Sequence, residues 1–400
     1  MQNFSPVKHY DPAEDAAELL SRLGYIMMFV GVPLGAALSR RALFLIFPIA
    51  IVLMLGAALL ILSRESRKKI FGFEMTALAA SASFLLVWSA ASLLWTPNLN
   101  ESLSLLVKAV LTIGFGFITC RALAPQTRTA NIYVLSVGLL LALLAALILI
   151  GRKAPDGTVL FDIRAGVTFA VLAWPATAAL AIRKRVGWAG ALAILVAMTL
   201  MLTGQTMSFV ILASSALAFS ASLSSRAAVA KWLGIGFSTL IVLAPLAPII
   251  LSFFVSDGAD NIFAESLAAV KQVGVSDGAR LITGRGFGAS GRSPLAEPFP
   301  LTAHSLLFEI WFDLGALGAL TMAALVYRAF ISAARSTSAI GPFVTGGLTC
   351  MVLFGIFGQG YAQIWWVTLL SVTAIAFKSV ANGLHQRHRP AGMRTATSPA

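Results

Sequence analysis

The stretch TAHSLLFEIWFDLGALGAL, residues 302–320, places three titratable side chains in an otherwise apolar segment. His304 stands near its start, and because a neutral imidazole accepts a proton near pH 7, His304 is a candidate general base. Glu309 and Asp313 are four residues apart and would share one helix face. Since carboxylates are costly in lipid, we expect both to face the bundle interior, with pairing to arginines as the simplest role.

A second group of candidate residues lies in SDGARLITGRGFGASGRSP, residues 276–294. The glycines lack the spacing of a nucleotide-binding loop, so the segment is either a flexible turn or a bend whose backbone N–H groups approach a phosphate. Arginine suits phosphate because its planar guanidinium donates paired hydrogen bonds and stays charged. Arg280 is the candidate catalytic residue of this group, and the candidate substrate-binding residues are Arg285, Arg292, Gly284, Gly286 and Gly288.

Arg164 is the third candidate, where the loop GRKAPDGTVLFDIRAG, residues 151–166, enters an apolar run. It is either an interfacial arginine that reaches toward lipid headgroups or a further ligand for phosphate. The sequence does not indicate a metal site, because the four histidines are scattered and no acidic cluster accompanies them.

The elements that must position these residues are membrane spans. The chain of 400 residues is 58% hydrophobic and 11% charged, whereas a soluble protein is about 25% charged. Apolar runs of about 20 residues recur, each long enough to cross a bilayer as a helix and without strand-like alternation. The sequence therefore predicts an all-α polytopic membrane protein. Twelve spans are predicted, at about 21–38, 43–62, 74–94, 103–121, 131–150, 165–182, 187–203, 208–223, 232–254, 305–328, 341–358 and 361–378.

Lysine and arginine placement predicts the orientation. Most of the 29 basic residues fall on the side that carries both termini, which places that side in the cytoplasm. The net charge of +13 is attributed to this bias rather than to nucleic-acid binding. The predicted regions are a cytoplasmic segment, helices 1–9, a large periplasmic loop, helices 10–12 and a basic cytoplasmic tail, at 1–20, 21–254, 255–304, 305–378 and 379–400.

Within the predicted loop, residues 261–273 have an apolar helical face and are predicted to lie on the membrane surface. In the tenth span, Gly315 and Gly318 are interpreted as positions that let neighbouring helices pack closely. Together, the arginines, the glycine bend and the histidine favour a site at the outer boundary of the membrane. Its substrate would be anionic, lipid-linked and presented from the outer leaflet.

On these residues the chain resembles the O-antigen ligase family, which also includes lipid-linked polysaccharide polymerases. The ligase pattern is His, then Asn, Ser or Gln, nine residues, Gly, two residues, and Gly, Thr or Tyr. This chain has His304, Ser305, Gly315 and Gly318 at those positions, and family members often carry acids where Glu309 and Asp313 stand.

Further segments resemble the family in the same order, so that the resemblance covers about residues 85–330. They are SAASLLWTPNLNESLSLL at 89–106, RAGVTFAVLAWP at 164–175 and TGRGFGAS before the histidine. Two segments depart from the family. Residues 257–259 read Asp-Gly-Ala where Ser-Gly-Arg is common, and residues 204–208 read GQTMS where a Ser-Arg pair is usual.

The resemblance implies a glycosyltransferase of the bacterial inner membrane that works on the periplasmic face without metal, ATP or another cofactor. It would move a glycan from undecaprenyl diphosphate to lipid A–core oligosaccharide in a ligase, or to another lipid-linked repeat in a polymerase. Arg164 and Arg280 would hold the diphosphate and neutralise its developing charge, with Arg285 next in importance. His304 would act as the base or orient the acceptor hydroxyl.

The intact histidine–glycine pattern favours ligase over polymerase. A transporter or flippase of lipid-linked sugars is the alternative from another class. Such a protein should show internal repeats and ionisable residues near the membrane midplane. Here no repeat stands out, and the ionisable residues gather toward the outer face.

Overall fold

The computed structural model describes residues 12–39, 42–61, 76–123, 129–150, 162–246, 278–290, 305–335, 339–358, 360 and 363–383. Within these ranges the chain is almost entirely helical and contains no strand. His304, Arg292 and the predicted surface helix at 261–273 lie outside the described residues, and of the predicted loop 255–304 only residues 278–290 are described.

Twelve long apolar helices and one short helix make up the described chain. They are α1 Pro12–Leu38, α2 Ala42–Ile61, α3 Ala77–Ala91, α4 Leu99–Ala122, α5 Thr129–Ile150, α6 Ile163–Ile182, α7 Val186–Leu202, α8 Thr206–Ser224, α9 Arg226–Leu243, α10 Gly278–Thr283, α11 Leu306–Arg335, α12 Gly341–Phe357 and α13 Ile364–Asn382. Ten of these are long and apolar enough to cross a membrane, and α7 and α12 are shorter apolar helices. The described chain is thus an all-α polytopic membrane protein, as predicted. Each predicted span falls on one helix, although α1 begins at Pro12 rather than near residue 21.

Helix α6 forms the centre of the bundle, because every residue from Ala165 to Leu180 is buried. Its sequence is rich in alanine, and small side chains let helices approach closely in lipid, where no hydrophobic effect drives them together. Helices α5, α7, α12 and α13 pack around it. The position of the first turn of α6, which carries Arg164, is therefore fixed by neighbours on several sides.

Contacts between residues far apart in sequence define two ends of the bundle. At the end where α6 and α13 begin, the guanidinium of Arg164 lies over the ring of Trp365. At the end where they finish, Arg183 Nη2 donates to the carbonyl oxygen of Gly383 at 3.3 Å. We call the first the site end and the second the arginine end.

Candidate functional site

Helix α11 is interrupted close to its start at the site end. An α-helical turn, Leu306–Glu309, is followed by a π-helical turn, Ile310–Leu314, and then by regular α-helix from Gly315. Gly315 has a φ of 64°, in the left-handed region that glycine adopts without a steric penalty. Ser305 caps the first turn, its Oγ accepting from Phe308 N at 3.2 Å. The interruption releases carbonyl groups of the π turn for partners outside the helix.

Three consecutive carbonyl oxygens of the π turn accept hydrogen bonds from other segments of the chain. The pairs are Arg285 N to Phe312 O at 2.9 Å, Gly286 N to Asp313 O at 2.9 Å and Trp88 Nε1 to Leu314 O at 3.0 Å. Because an unpaired carbonyl is costly in a membrane protein, the released groups need such donors. The π turn is therefore the docking surface for residues 284–290, which we call the glycine segment.

The carboxylate of Asp313 fastens the far half of the glycine segment. Its side chain is fully buried. Its Oδ2 accepts from Gly288 N and from Ser290 Oγ, both at 3.0 Å, and its Oδ1 accepts from Ser290 N at 2.7 Å. Hydrogen bonds to an ionised acceptor are roughly twice as strong as neutral ones, so Asp313 is the main anchor of the segment.

The remaining backbone N–H groups of the glycine segment are also bonded within the protein. The pairs are Gly284 N to Arg280 O at 2.8 Å, Phe287 N to Ser92 Oγ at 3.0 Å and Ala289 N to Gly286 O at 3.1 Å. This differs from the predicted bend, in which the N–H groups would face a phosphate. Here they hold the segment in place, so Gly284, Gly286 and Gly288 would serve a substrate indirectly, by shaping the segment that carries Arg285.

Two glycines make the close approach possible. A Cβ on Gly315 would lie 2.5 Å from both Gly284 N and Ile282 O, and a Cβ on Gly284 would collide with the backbone of Asp313. Because Ile282 belongs to α10, the missing side chain at Gly315 lets this short helix lie close to α11, whereas close helix packing at Gly318 stays a prediction. Gly315 admits the glycine segment, and a Cβ on Gly318 would collide with the side chain of Leu314 in its own helix.

Arg285 is held at the surface of the π turn by an aromatic stack. Its guanidinium carbon lies 5.3 Å from the ring centroid of Phe312, and that ring stacks on Phe308 at 5.2 Å. A cation over an aromatic face is attracted by the ring quadrupole. Arg280 is half-buried on the short helix α10, directly before the glycine segment. Two of the predicted arginines are thus carried by one docked stretch of chain.

Arg164 occupies the first turn of α6, where Asp162 Oδ1 caps the helix by accepting from its backbone N at 3.2 Å. Its guanidinium carbon lies 5.5 Å from the ring centroid of Trp365. Trp365 Nε1 donates to Gln363 Oε1 at 2.9 Å, which fixes the ring beneath the cation. Arg164 is therefore held in the same manner as Arg285, by an aromatic side chain at the start of another helix.

The turn between α12 and α13 connects these two places. Glu309 is 1% exposed and lies so close to Gly360 that a Cβ there would collide with its carboxylate. Gln363 N donates to Gly360 O at 3.3 Å, and Gln363 also holds the ring of Trp365. One short turn thus touches Glu309 on one side and supports the ring under Arg164 on the other.

Glu309 and Asp313 are both buried and contact different segments of the chain. Asp313 contacts the glycine segment, whereas Glu309 contacts Gly360.

Several side chains that hold the site were not singled out from the sequence. Thr96 Oγ1 donates to Phe287 O at 3.2 Å and is 3.1 Å from Ser102 Oγ. Phe287 is buried with Leu106 and Leu314. The feature of the sequence that could have pointed to Thr96 and Ser102 is the polar, tryptophan-containing stretch between two apolar runs, at 89–106. The feature that could have pointed to Gln363 and Trp365 is a polar residue shortly before a pair of tryptophans, since tryptophan is enriched at membrane boundaries.

Comparison of the chain with protein-family models and with curated proteins gave no match. The chemistry of the site is therefore argued from its own residues. Half-buried guanidinium groups on aromatic rings lie at the end of the bundle where both buried carboxylates are found. In the described ranges, no three His, Cys, Asp or Glu side chains are grouped closely enough to hold a metal. The arrangement is suited to binding an anion at the boundary of the membrane.

Proposed function

We propose that this protein is an O-antigen ligase-like membrane glycosyltransferase. It transfers a glycan from undecaprenyl diphosphate to lipid A–core oligosaccharide on the periplasmic face of the inner membrane, with both termini in the cytoplasm. The observation that carries the proposal is the placement of Arg285 and Arg164 over aromatic rings at one end of the bundle. The segments that hold them meet at the start of α11, the helix that continues the histidine–glycine pattern.

The proposed reaction needs little from the protein beyond positioning and charge. The acceptor hydroxyl attacks the anomeric carbon, the bond from that carbon to the diphosphate oxygen breaks, and undecaprenyl diphosphate leaves. His304 accepts the proton of the hydroxyl or orients it. Arg164 and Arg280 hold the diphosphate and neutralise the charge that develops on it, with Arg285 and Arg292 as further ligands.

The two buried acids have positioning roles in this proposal. Asp313 holds the glycine segment and thereby the backbone of Arg285. Glu309 packs on the turn that supports Trp365, the ring beneath Arg164. Groups fixed in this way need little reorganisation when charge develops, which is the main source of electrostatic catalysis.

The test is surface glycan in a deletion strain that is complemented with the wild type or with Arg285→Ala, Arg164→Ala, Arg280→Ala or His304→Ala. Lipid-linked intermediates are extracted in parallel, and expression of each variant is measured. We expect long polymer to accumulate on undecaprenyl diphosphate while lipid A–core stays uncapped. Loss of one charge-stabilising donor typically lowers a rate by about 10²–10³-fold. Arg121→Ala is the matched control, since Arg121 also lies over an aromatic ring, that of Phe117 at 5.7 Å, but near the end of α4.

Other outcomes point to different functions. Accumulation of single repeats on the carrier, or of single units on the core, would identify a polymerase of O-antigen or exopolysaccharide repeats. Normal surface glycan in the deletion strain, with no second enzyme of this activity present, would overturn both and favour a transporter or flippase of lipid-linked sugars.

A further inference from the structure

An apolar groove lies between α2, α4 and α13. Its volume is about 720 Å³, within the range of about 300–1,000 Å³ that is usual for small-molecule sites. Phe47 and Ile51 of α2, Phe115 of α4 and Ile364 of α13 are among its lining residues. Along α2 the lining extends from Phe44 to Leu55, a rise of about 16 Å, which is more than half of the ~30 Å hydrocarbon thickness of a bilayer.

One charged side chain, Lys108, is found among the lining residues described. The first turn of α4 is polar, reading LNES from Leu99, and from Leu105 onward the helix is apolar apart from Lys108 until its last turns. Lys108 is therefore only about 5 Å below the start of the apolar part, within reach of the headgroup level for a snorkelling lysine. Among the residues that the structure describes, no acidic side chain forms a salt bridge with it. The lysine therefore places a positive charge beside the groove at the level where a lipid headgroup would lie.

The groove is continuous with the site end of the bundle. Helices α4 and α13 pack closely, since a Cβ on Gly116 would lie 2.9 Å from Ser371 Cβ, and Ser371 Oγ is 3.5 Å from Thr112 O. Ile364, which lines the groove, directly precedes Trp365, the residue whose ring lies under Arg164. A lipid in the groove would thus contact Lys108 and the start of α13, the helix whose Trp365 lies under Arg164.

We propose that this groove binds the first isoprene units of a polyprenyl phosphate or diphosphate, and that Lys108 pairs with the phosphate. The inference rests on the proposed function, whose donor is such a lipid, and adds a groove and a cation outside the glycine segment. An apolar groove with a cation near the headgroup level is complementary to one apolar chain with an anionic head. A bulk zwitterionic phospholipid has no need of that lysine.

The test is binding of undecaprenyl phosphate to the purified full-length protein, measured by native mass spectrometry without any transfer reaction. We expect Lys108→Gln to weaken binding about tenfold, as for the loss of one charge-assisted contact. Lys231→Gln, at an exposed lysine of α9, should leave it unchanged. Leu111→Trp, which fills the groove, should weaken binding more than Val110→Trp, whose residue is exposed but does not line it.

Phosphatidylglycerol is the comparison ligand. If Lys108→Gln weakens phosphatidylglycerol and undecaprenyl phosphate equally, or if it behaves like Lys231→Gln, the proposed groove is wrong. The two proposals fail separately. Normal surface glycan in the deletion strain would remove the transferase while lysine-dependent binding still established the groove. If the deletion strain lost glycan transfer but binding of undecaprenyl phosphate did not depend on Lys108, the transferase would stand and the proposed groove would be wrong.

Discussion

Charged side chains take opposite roles in the hydrogen bonds at the two ends of the bundle. At the arginine end, side-chain cations donate to helices that come from elsewhere in the chain. Arg183 donates to the carbonyl oxygen of Gly383 at 3.3 Å, and Arg328 donates to Ser81 Oγ at 2.5 Å. At the site end the direction is reversed, because backbone N–H groups of the glycine segment donate to the side chain of Asp313.

Burial separates the two arrangements further. Glu309 and Asp313 are the buried charged side chains of the described residues, and both lie at the site end. Arg183 and Arg328 are only half-buried. If a donor is lost from an exposed place, water can replace it, whereas a buried group left without its partner bears the full desolvation penalty. The site end should therefore be the more sensitive to single substitutions.

The largest effect on stability is expected for Asp313→Ala. The substitution leaves Gly288 N, Ser290 N and Ser290 Oγ without an acceptor, and each buried unpaired group costs about 1–3 kcal/mol. The glycine segment should detach from the π turn, and the apparent melting temperature in detergent, measured by fluorescence-detected size-exclusion chromatography, should fall strongly. Transfer activity should be lost with it.

Asp313→Asn is the matched comparison for that variant. An amide keeps one acceptor oxygen of similar shape but replaces the second with a donor that would face Gly288 N or Ser290 N. The apparent melting temperature of Asp313→Asn should therefore lie between those of the wild type and Asp313→Ala. Equal stability of wild type and Asp313→Ala would show that the carboxylate does not hold the segment.

A smaller loss of stability is expected for Gly284→Ala, and Gly204→Ala is the matched control. Gly284 and Gly204 have almost the same φ, 75° and 72°. A Cβ on Gly284 would collide with the backbone of Asp313, whereas one on Gly204 would meet nothing within 4 Å. Gly204→Ala should cost only the left-handed strain, about 1–2 kcal/mol.

Gly284→Ala adds the displacement of the glycine segment to that strain, so its melting temperature should fall further. Protection of residues 284–290 against hydrogen exchange should decrease in this variant alone. If both alanine variants lost the same stability and protection, the close approach of Gly284 to the π turn would not contribute to the stability of the site end.

The spans could be predicted from the sequence because apolar length is a property of each segment by itself. The central place of α6 also has a local signal, since its alanine-rich composition suits a helix surrounded by others. Arg164, Arg280 and Arg285 could be identified as candidates because arginine on the side predicted to be the outer one runs against the usual charge bias. These inferences needed no knowledge of which segments meet.

The docking of the glycine segment could not be predicted, because it depends on partners far apart in sequence. Phe287 N finds Ser92, and Trp88 finds the carbonyl oxygen of Leu314. The π turn at 310–314 was the decisive feature. Helical spacing predicted that Glu309 and Asp313 share one face, but it could not predict that Asp313 contacts the glycine segment and Glu309 the α12–α13 turn.

The smallest effect is expected at the arginine end, from Arg183→Ala. The substitution removes one hydrogen bond to the C-terminal end of α13 and a favourable interaction with the helix dipole, together about 1 kcal/mol. Arg183→Lys keeps the charge and should recover part of this loss, because the dipole term needs only a cation. Melting temperatures of both variants, measured beside those of the Asp313 variants, allow the loss of stability at the two ends to be compared directly. A loss from Arg183→Ala as large as that from Asp313→Ala would mean that accessible arginines stabilise the bundle as much as the buried carboxylate does. Burial would then not be what distinguishes the site end.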